Sequence, residues 1–177
     1  MAGTTRLRVQ DWLDAGMTAL AAHGPDALKA EPLARALGTT KGSFYWHFAD
    51  VPAFHAALIA EWSAQANTAL FDVAEQAETH TRALRRMAQQ IAAPAPDDPH
   101  AAVEPAMRAW AAAHDGARKA VAQVDAARLT VITALLERVG VSNPEIARVI
   151  LAAAIGLPRN PPGDPMGTLV DLVLALR

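Results

Sequence analysis

Apolar residues recur along most of this sequence at spacings of three and four, which is the repeat of an amphipathic α-helix. The first such stripe, which ends before a glycine–proline pair, consists of Val9, Trp12, Leu13, Met17 and Leu20. Alanine, the strongest helix former, accounts for 42 of the 177 residues, and few β-branched runs are available for a sheet. The pattern therefore predicts an all-α protein.

Glycine and proline divide this pattern into about nine helices. We expect a first helix that carries Val9 to Leu20 and ends before Gly24, then helices over 31–38, 41–47, 50–78, 80–91, 101–113, 115–139 and 143–157, and a last one that carries Leu169 to Leu176. Thr4 or Thr5 is the expected N-cap of the first helix. The proline-rich stretches 94–99 and 158–165 are predicted to be loops, because proline is not tolerated inside a helix.

The composition excludes several classes of site and of location. The chain has no cysteine, so it has no disulfide and no cysteine-ligated metal. Its longest strongly apolar run, Val149 to Leu157, is about half of the ~20 residues that a membrane span needs. Arg6, Asp11 and other charges near the start do not match a secretory signal. We therefore expect a cytoplasmic protein with no membrane partner.

The motifs of common enzymes are missing from the sequence. It contains no Gly-x-Ser-x-Gly, Gly-x-Gly-x-x-Gly or Gly-x-x-x-x-Gly-Lys string. No two histidines are four residues apart, and no Glu-x-x-His pair is present for a di-iron bundle. The sequence predicts neither an enzyme nor a bound cofactor or metal, and a helical-bundle enzyme is the least favoured alternative.

Residues 33–48 have the pattern of a helix-turn-helix. Leu33 and Leu37 form the apolar side of a short helix, Gly38 allows the turn, and the next helix spans 41–47. Phe44 and Phe48 are four residues apart and are predicted to face the interior. At least two of the three residues between them then face outward, which suits DNA reading. The alternative is that these aromatic residues only hold a three-helix subdomain together.

The string from Gly38 to Phe48, GTTKGSFYWHF, resembles the DNA-binding domain of the TetR family of transcriptional regulators, and the resemblance extends from about Val9 to Leu58. It implies a helix-turn-helix DNA-binding domain of three helices over 1–50 and a helical ligand-binding and dimerisation domain over 51–177. It also implies a homodimer on a palindromic operator of double-stranded DNA, acting as a repressor that a small-molecule ligand releases. Carried over by position, Lys41 contacts phosphate. The full set of implied DNA contacts is Thr39, Thr40, Lys41, Gly42, Ser43, Tyr45, Trp46 and His47.

The charge balance of the N-terminal part is neutral. Residues 1–60 carry five basic and five acidic side chains. Because non-specific DNA affinity comes from neutralised phosphates, we expect weak non-specific binding with a shallow salt dependence. The alternative function is a helical interaction or adaptor protein whose helix-turn-helix head binds DNA weakly or not at all.

The C-terminal helices carry the predicted dimer interface and ligand pocket. The interface is predicted from two apolar stripes: Ile146, Val149, Ile150, Ala153 and Leu157, followed by Leu169, Val173 and Leu176. The pocket, for an apolar or aromatic ligand, is predicted from large side chains on helices that could converge: Trp62, Met87, Met107, Trp110 and His114. The alternative is that both sets are ordinary core of one protomer.

Overall fold

A computed structural model of the chain describes residues 7–92, 102–157 and 162–175. Within these ranges it contains nine α-helices and no strand, so the predicted all-α fold is confirmed. The helices are α1 Val9–His23, α2 Ala30–Ala36, α3 Lys41–His47, α4 Val51–Gln76, α5 His80–Ala92, α6 Val103–Ala111, α7 Asp115–Arg138, α8 Pro144–Gly156 and α9 Pro165–Ala175. None of the described helices is both long enough and apolar enough to cross a membrane.

The helix bounds agree with the predicted ones to within a few residues, and the start of α1 shows why ends are hard to place. The N-cap of α1 is Arg8, whose backbone N–H donates to the carboxylate of Asp11 at 2.6 Å. The predicted caps Thr4 and Thr5, and the predicted loop 94–99, lie outside the described residues. A 3-10 turn over Pro25–Ala27, which the periodicity did not predict, connects α1 to α2.

The chain forms two compact units. The first unit consists of the described residues up to Ser63 together with Ala102–Val121. The second unit consists of the described residues of Ala64–Ala101 and Ala122–Arg177. Helices α4 and α7 therefore contribute residues to both units. The functional division after residue 50 concerns DNA binding rather than compactness, and it stays a prediction.

Aromatic rings make up much of the core of the first unit. The ring of Phe44 meets those of Trp12 and Phe54 edge to face, each at a centroid distance of 5.4 Å. Helices α1 and α4 approach closely at Gly16, where a Cβ atom would lie 2.6 Å from Cζ of Phe54. This packing holds α1, α3 and α4 together around one ring cluster.

The described core of the second unit is aliphatic. It is formed by α5, α8 and α9 with parts of α4 and α7, and its fully buried members include Leu84, Ile132 and Ile150. The carboxylate of Asp164 joins α9 to α5. It accepts a hydrogen bond from the backbone N–H of Gly167 at 2.8 Å and another from Nε2 of Gln89 at 2.7 Å. One polar group thus caps the last helix and ties it to its neighbour.

Candidate nucleic-acid interface

The turn between α2 and α3 is fixed by backbone hydrogen bonds. The N–H of Gly38 donates to the carbonyl of Arg35 at 3.2 Å, and that of Thr39 to the carbonyl of Ala34 at 2.9 Å. This pair of bonds is the Schellman motif, which needs a residue with positive φ after the helix. Gly38 supplies it with φ 64°. The predicted glycine turn is therefore present, and it sets the direction of α3.

Two phenylalanines hold α3 against the rest of the first unit. Phe44 is fully buried and Phe48 nearly so, as their spacing predicted. Phe48 packs on Phe44 at 5.2 Å and on Phe54 at 5.0 Å between ring centroids. Because α3 has only seven residues, these rings rather than its own hydrogen bonds keep it in place.

The opposite side of α3 exposes two large aromatic side chains. The side chain of Trp46 is 87% exposed and that of Tyr45 is 46% exposed. Nζ of Lys41 lies 6.0 Å from the centroid of the Tyr45 ring, within the range of a cation–π contact. The surface formed by Lys41, Tyr45 and Trp46 is called the reading face below.

The other predicted DNA contacts lie on or beside the same helix. Thr40 and Gly42 are exposed, whereas Thr39, Ser43 and His47 are half-buried. The ring of His47 faces Trp12 at 6.2 Å, so part of its surface is used inside the unit. All eight residues thus lie on α3 and the turn before it, and their contact with DNA stays a prediction.

The predicted ligand-pocket residues are divided between the two units. Trp62, Met107 and Trp110 are buried and His114 is half-buried in the first unit, whereas Met87 is buried in the second. The ring centroids of Trp110 and His114 are 4.5 Å apart. Binding of a ligand by these residues stays a prediction.

His55, which the sequence did not single out, lies beside this pair. Its ring centroid is 5.1 Å from that of Trp110 and 6.0 Å from that of His114. Nε2 of His55 is 3.0 Å from the carbonyl oxygen of Leu28, so a neutral ring that carries its proton on Nε2 donates to that oxygen. Partial burial lowers the pKa of His55, while the bond to Leu28 partly opposes this shift and the nearby His114 adds to it.

His114 stands at the start of α7 and acts on its first turn. The backbone N–H of Ala117 donates to Nδ1 of His114 at 3.2 Å. A ring nitrogen can accept this bond only when it carries no proton, so the proton of the neutral ring is on Nε2. The imidazole thus serves as a helix cap through Nδ1.

The two apolar stripes predicted to form the dimer interface include both buried and exposed positions of α8 and α9. Ile150 and Val173 lie in the core of the second unit, where a partner chain has no access to them. Val149 is exposed, and Leu176 lies outside the described residues. The remaining members of the stripes are half-buried: Ile146, Ala153, Leu157 and Leu169. The exposed aliphatic side chains of these helices are instead Val149, Ile155 and Leu172. Since almost every position of α8 is apolar, periodicity alone does not separate its inner side from its outer side.

The described residues contain no cluster of three or more histidine, aspartate or glutamate side chains that could hold a metal ion. Polar side chains of the first unit such as Asp11, His55 and His114 have structural partners instead. The groups of the reading face are different, because they are exposed and suited to contacts with a polyanion.

Comparison with known proteins agrees with this arrangement. Residues 13–50 match the family model of bacterial regulatory proteins of the tetR family. No curated protein sequence matches the chain. Among solved structures, a transcriptional regulator from Rhodococcus sp. Rha1 superposes with a TM-score of 0.76 at 19% identity, over 96% of this chain and 95% of that one.

Two further solved structures have the same fold. A protein assigned to the TetR family from Mesorhizobium loti gives a TM-score of 0.65 at 15% identity, over 95% of this chain and 93% of that one. The ketosteroid transcriptional regulator KstR2 of Mycobacterium tuberculosis gives 0.57 at 14% identity, over 98% of this chain and 96% of that one. At such identities the likeness establishes the fold. Residues 13–50 of the chain thus match the tetR-family model, and the chain as a whole has the fold of these solved regulators.

Proposed function

We propose that this regulator binds a palindromic operator through the reading face of α3 and acts as a repressor that a small molecule releases. The observation that carries the proposal is the exposure of Trp46, 87% of whose side chain faces solvent beside Tyr45. Large aromatic side chains that are exposed side by side are typical of a surface that contacts a partner. The turn at Gly38 and the buried rings of Phe44 and Phe48 fix the direction of α3. The exposed pair therefore has a fixed orientation, as contact with a DNA groove requires.

Lys41 differs from three other cations of the N-terminal part, because those three form ion pairs. Arg8, Lys29 and Arg35 each have a carboxylate within 3.7 Å on their own helix or turn. Lys41 has no such carboxylate partner in the part of the chain that the structure describes. Its ammonium group is therefore free to take a phosphate without first breaking an ion pair.

Because the three other described cations of the N-terminal part are paired and Lys41 is not, a part with no net charge can still bind a phosphate. Each neutralised phosphate adds roughly 0.9 to the slope of affinity against salt concentration. With Lys41 as the main cation of the reading face, most of the specificity comes from hydroxyl and aromatic contacts of Thr39, Thr40, Ser43 and the two exposed rings. We propose phosphate contact for Lys41, and base-edge or sugar contact for the others, including Gly42 and His47.

A palindromic operator requires two reading faces, and we propose that they come from a homodimer formed through α8 and α9. Two half-sites read in successive major grooves are about 34–36 Å apart. Leu172 is 59% exposed and Val149 is 51% exposed, on helices that pack against each other. Exposed Ala152 and Gly156 on α8 have small side chains, which allow close approach of a partner helix.

Selection of fragments from random genomic DNA tests the proposal directly. We expect the full chain to enrich a palindromic site. Lys41→Ala should lower affinity for that site by tenfold or more, since a charge-assisted contact is worth about 1.5–3 kcal/mol. Trp46→Ala should also lower this affinity, because it removes the most exposed ring of the reading face. Lys29→Ala is the matched control, because it removes the same charge from a lysine that already pairs with Asp26. Failure to enrich any site at low salt would favour the interaction protein instead.

Sedimentation tests the dimer separately from DNA. Leu172→Glu places a charge in the centre of the exposed aliphatic side, and we expect it to convert a dimer at micromolar concentration into a monomer. Gln90→Glu adds the same charge at an exposed position of α5 and should leave the dimer intact. A wild-type monomer at that concentration contradicts the interface. A regulator of this kind is expected to act in the cytoplasm and to have no catalytic role.

A further inference from the structure

A groove lies in the second unit between the start of α5 and the last two turns of α7. It encloses about 540 Å³. The residues that define this α5–α7 groove are Thr79, His80, Ala83, Val131, Leu135 and Arg138. None of the residues predicted from the sequence to bind a ligand lines it. Its volume falls within the ~300–1,000 Å³ typical of sites for small organic molecules.

One end of the groove is basic. Nη1 of Arg138 lies 3.2 Å from Nε2 of His80. Since a guanidinium group is always protonated and has no acceptor, it donates and the imidazole accepts, which places the imidazole proton on Nδ1. At this end of the groove the guanidinium group of Arg138 thus contacts an imidazole nitrogen rather than a carboxylate.

The nearest acidic group in the groove already has a partner. Glu78 lines the same end, but its carboxylate pairs with Arg82 one turn along α5. The hydroxyl of Thr79 is also engaged, since it accepts from the backbone N–H of Arg82 at 3.2 Å. The charge of Arg138 therefore remains available to an anion that enters from solvent.

The rest of the groove is mainly apolar, with Thr130 as a polar member, and it rests on the core. Ala83 and Leu135 are buried members of the aliphatic core, and Val131 and Ala134 on α7 continue the wall toward solvent. A ligand that fills this groove thus needs an apolar body and one anionic end. A carboxylate suits the basic end, because its two oxygens match the planar donors of a guanidinium group.

From this arrangement we infer that the α5–α7 groove binds a small amphipathic carboxylate, with Arg138 on the carboxylate and Val131 and Leu135 along its apolar chain. The inference rests on the proposed release by a small molecule and gives that molecule a chemical class and a site. It differs from the sequence-based expectation of an apolar or aromatic ligand among Trp62, Trp110 and their neighbours.

Titration of the full-length protein with octanoate, without DNA, tests this site. We expect calorimetric binding of octanoate, and chemical-shift changes at the methyl groups of Val131 and Leu135. Arg138→Met keeps the apolar stem and removes the charge, and it should weaken binding about tenfold or more, the loss typical of a charge-assisted hydrogen bond. Arg86→Met removes the same charge from an exposed arginine of α5 that does not line the groove, and should bind like the wild type.

Two further measurements separate the charge of the ligand from the space in the groove. Octanamide, which has the same chain but no charge, should bind as weakly as octanoate binds to Arg138→Met. Ala134→Trp fills the groove from an exposed position without altering its charges and should abolish binding even if Arg138→Met does not fold.

The site is overturned if octanoate at millimolar concentration leaves the Val131 and Leu135 methyl shifts unchanged. It is equally overturned if Arg138→Met or octanamide gives the same affinity as wild type with octanoate. Because no operator is present, a failure of DNA recognition leaves these outcomes readable. Release of a selected operator by octanoate is then a separate measurement of the proposed function.

Discussion

The two units of this protein are built from different kinds of apolar side chain. Buried rings, among them Trp12, Phe44 and Phe54, fill the first unit, whereas the described core of the second consists of leucine, isoleucine, valine, methionine and alanine. Their surfaces repeat the contrast. The first unit exposes Tyr45 and Trp46, and the second exposes Val149, Ile155 and Leu172.

The contrast matters because rings and aliphatic chains constrain their neighbours differently. Aromatic pairs prefer edge-to-face or offset contacts, so a cluster of them fixes the direction of the helices that carry it. Aliphatic cores are filled by volume and tolerate rearrangement at lower cost. A seven-residue helix that is proposed to read DNA needs the first property. A unit proposed to bind a small molecule and a second protomer benefits from the second property.

The largest expected effect comes from removing the central ring of the first unit. Phe44→Ala should cost about 3–5 kcal/mol in the free energy of unfolding. It should also abolish DNA binding, because α3 loses the residue that seats it. Chemical denaturation followed by near-UV circular dichroism measures both the stability and the order of the rings.

Leu84→Ala is the corresponding change in the aliphatic core, and should cost about 2–5 kcal/mol. Its near-UV spectrum in the absence of denaturant should remain that of the wild type, since the described core around Leu84 contains no aromatic ring. An equal loss of near-UV signal in both variants would remove the distinction between the units.

A close approach between helices gives the second test. A Cβ atom on Gly16 would lie 2.6 Å from Cζ of Phe54 and 3.0 Å from Cδ1 of Leu58. Phe54 cannot shift easily, because it packs against two other rings. Gly16→Ala should therefore destabilise the protein by about 1–3 kcal/mol, measured by chemical denaturation.

Gly42→Ala is the matched control within the same unit. A Cβ atom on Gly42 would meet only Oγ1 of Thr40, at an ordinary distance of 3.6 Å. Because glycine is unfavourable inside a helix, this change should stabilise the protein by about 0.5–1 kcal/mol. If Gly16→Ala is neutral or stabilising, as Gly42→Ala is expected to be, the close packing of α1 on α4 is not a constraint.

These contacts also mark what the sequence can and cannot predict. The spacing of apolar residues, with glycine and proline as breaks, predicted the helices well, and α3 over 41–47 was correct at both ends. The spacing did not separate the inner side of α8 from its outer side. Ile150 and Val149 are both apolar, but only Ile150 is buried. Helical periodicity carries no information on which apolar side meets a neighbour when the whole helix is apolar.

Contacts between residues far apart in sequence were beyond the pattern altogether. His55 meets Leu28, and Arg138 meets His80, across 27 and 58 residues. A single histidine or arginine in a helical sequence resembles any solvated side chain until the packing of the helices is known. The α5–α7 groove and the contacts of His55 with Trp110 and His114 could therefore be found only in the folded chain.

A smaller effect is expected from the polar link of the aliphatic unit. Asp164→Ala removes the cap of α9, and should cost about 1 kcal/mol at neutral pH. Asp164→Asn keeps the acceptor for the N–H of Gly167 but loses the charge that faces Arg85 at 3.5 Å, so its cost should be lower. Thermal unfolding of the two variants measures the difference, and equal costs would mean that the cap bond contributes nothing.

The carboxylate of Asp164 also determines how acid changes the stability of the protein. Hydrogen bonds from Gln89 and from the N–H of Gly167, together with the charge of Arg85, lower the pKa of Asp164. A lowered pKa in the folded state stabilises the protein above the unfolded value of 3.8, and this contribution is lost as the pH falls through the folded value. The stability difference between wild type and Asp164→Asn should therefore shrink in strong acid.

The smallest expected effect tests the histidines of the aromatic unit. Partial burial lowers the pKa of His55 below 6.5 in the folded protein, so between the two values the unfolded chain binds more protons than the folded one. Stability should then fall as the pH drops below about 6.5. Because the side chain is partly exposed, we expect only about 1–2 °C in Tm between about pH 7.5 and about pH 5.5.

His55→Gln isolates this contribution, because its amide can still donate to the carbonyl of Leu28 but does not titrate. All other histidines are common to both proteins, so their effects cancel in the difference between the two pH dependences, except for coupling to His114, which faces His55. The variant should show the smaller fall in Tm on acidification. A fall as large as that of the wild type would mean that the His55 ring stays as easily protonated as in the unfolded chain, and that the aromatic unit encloses it too loosely to shift its charge.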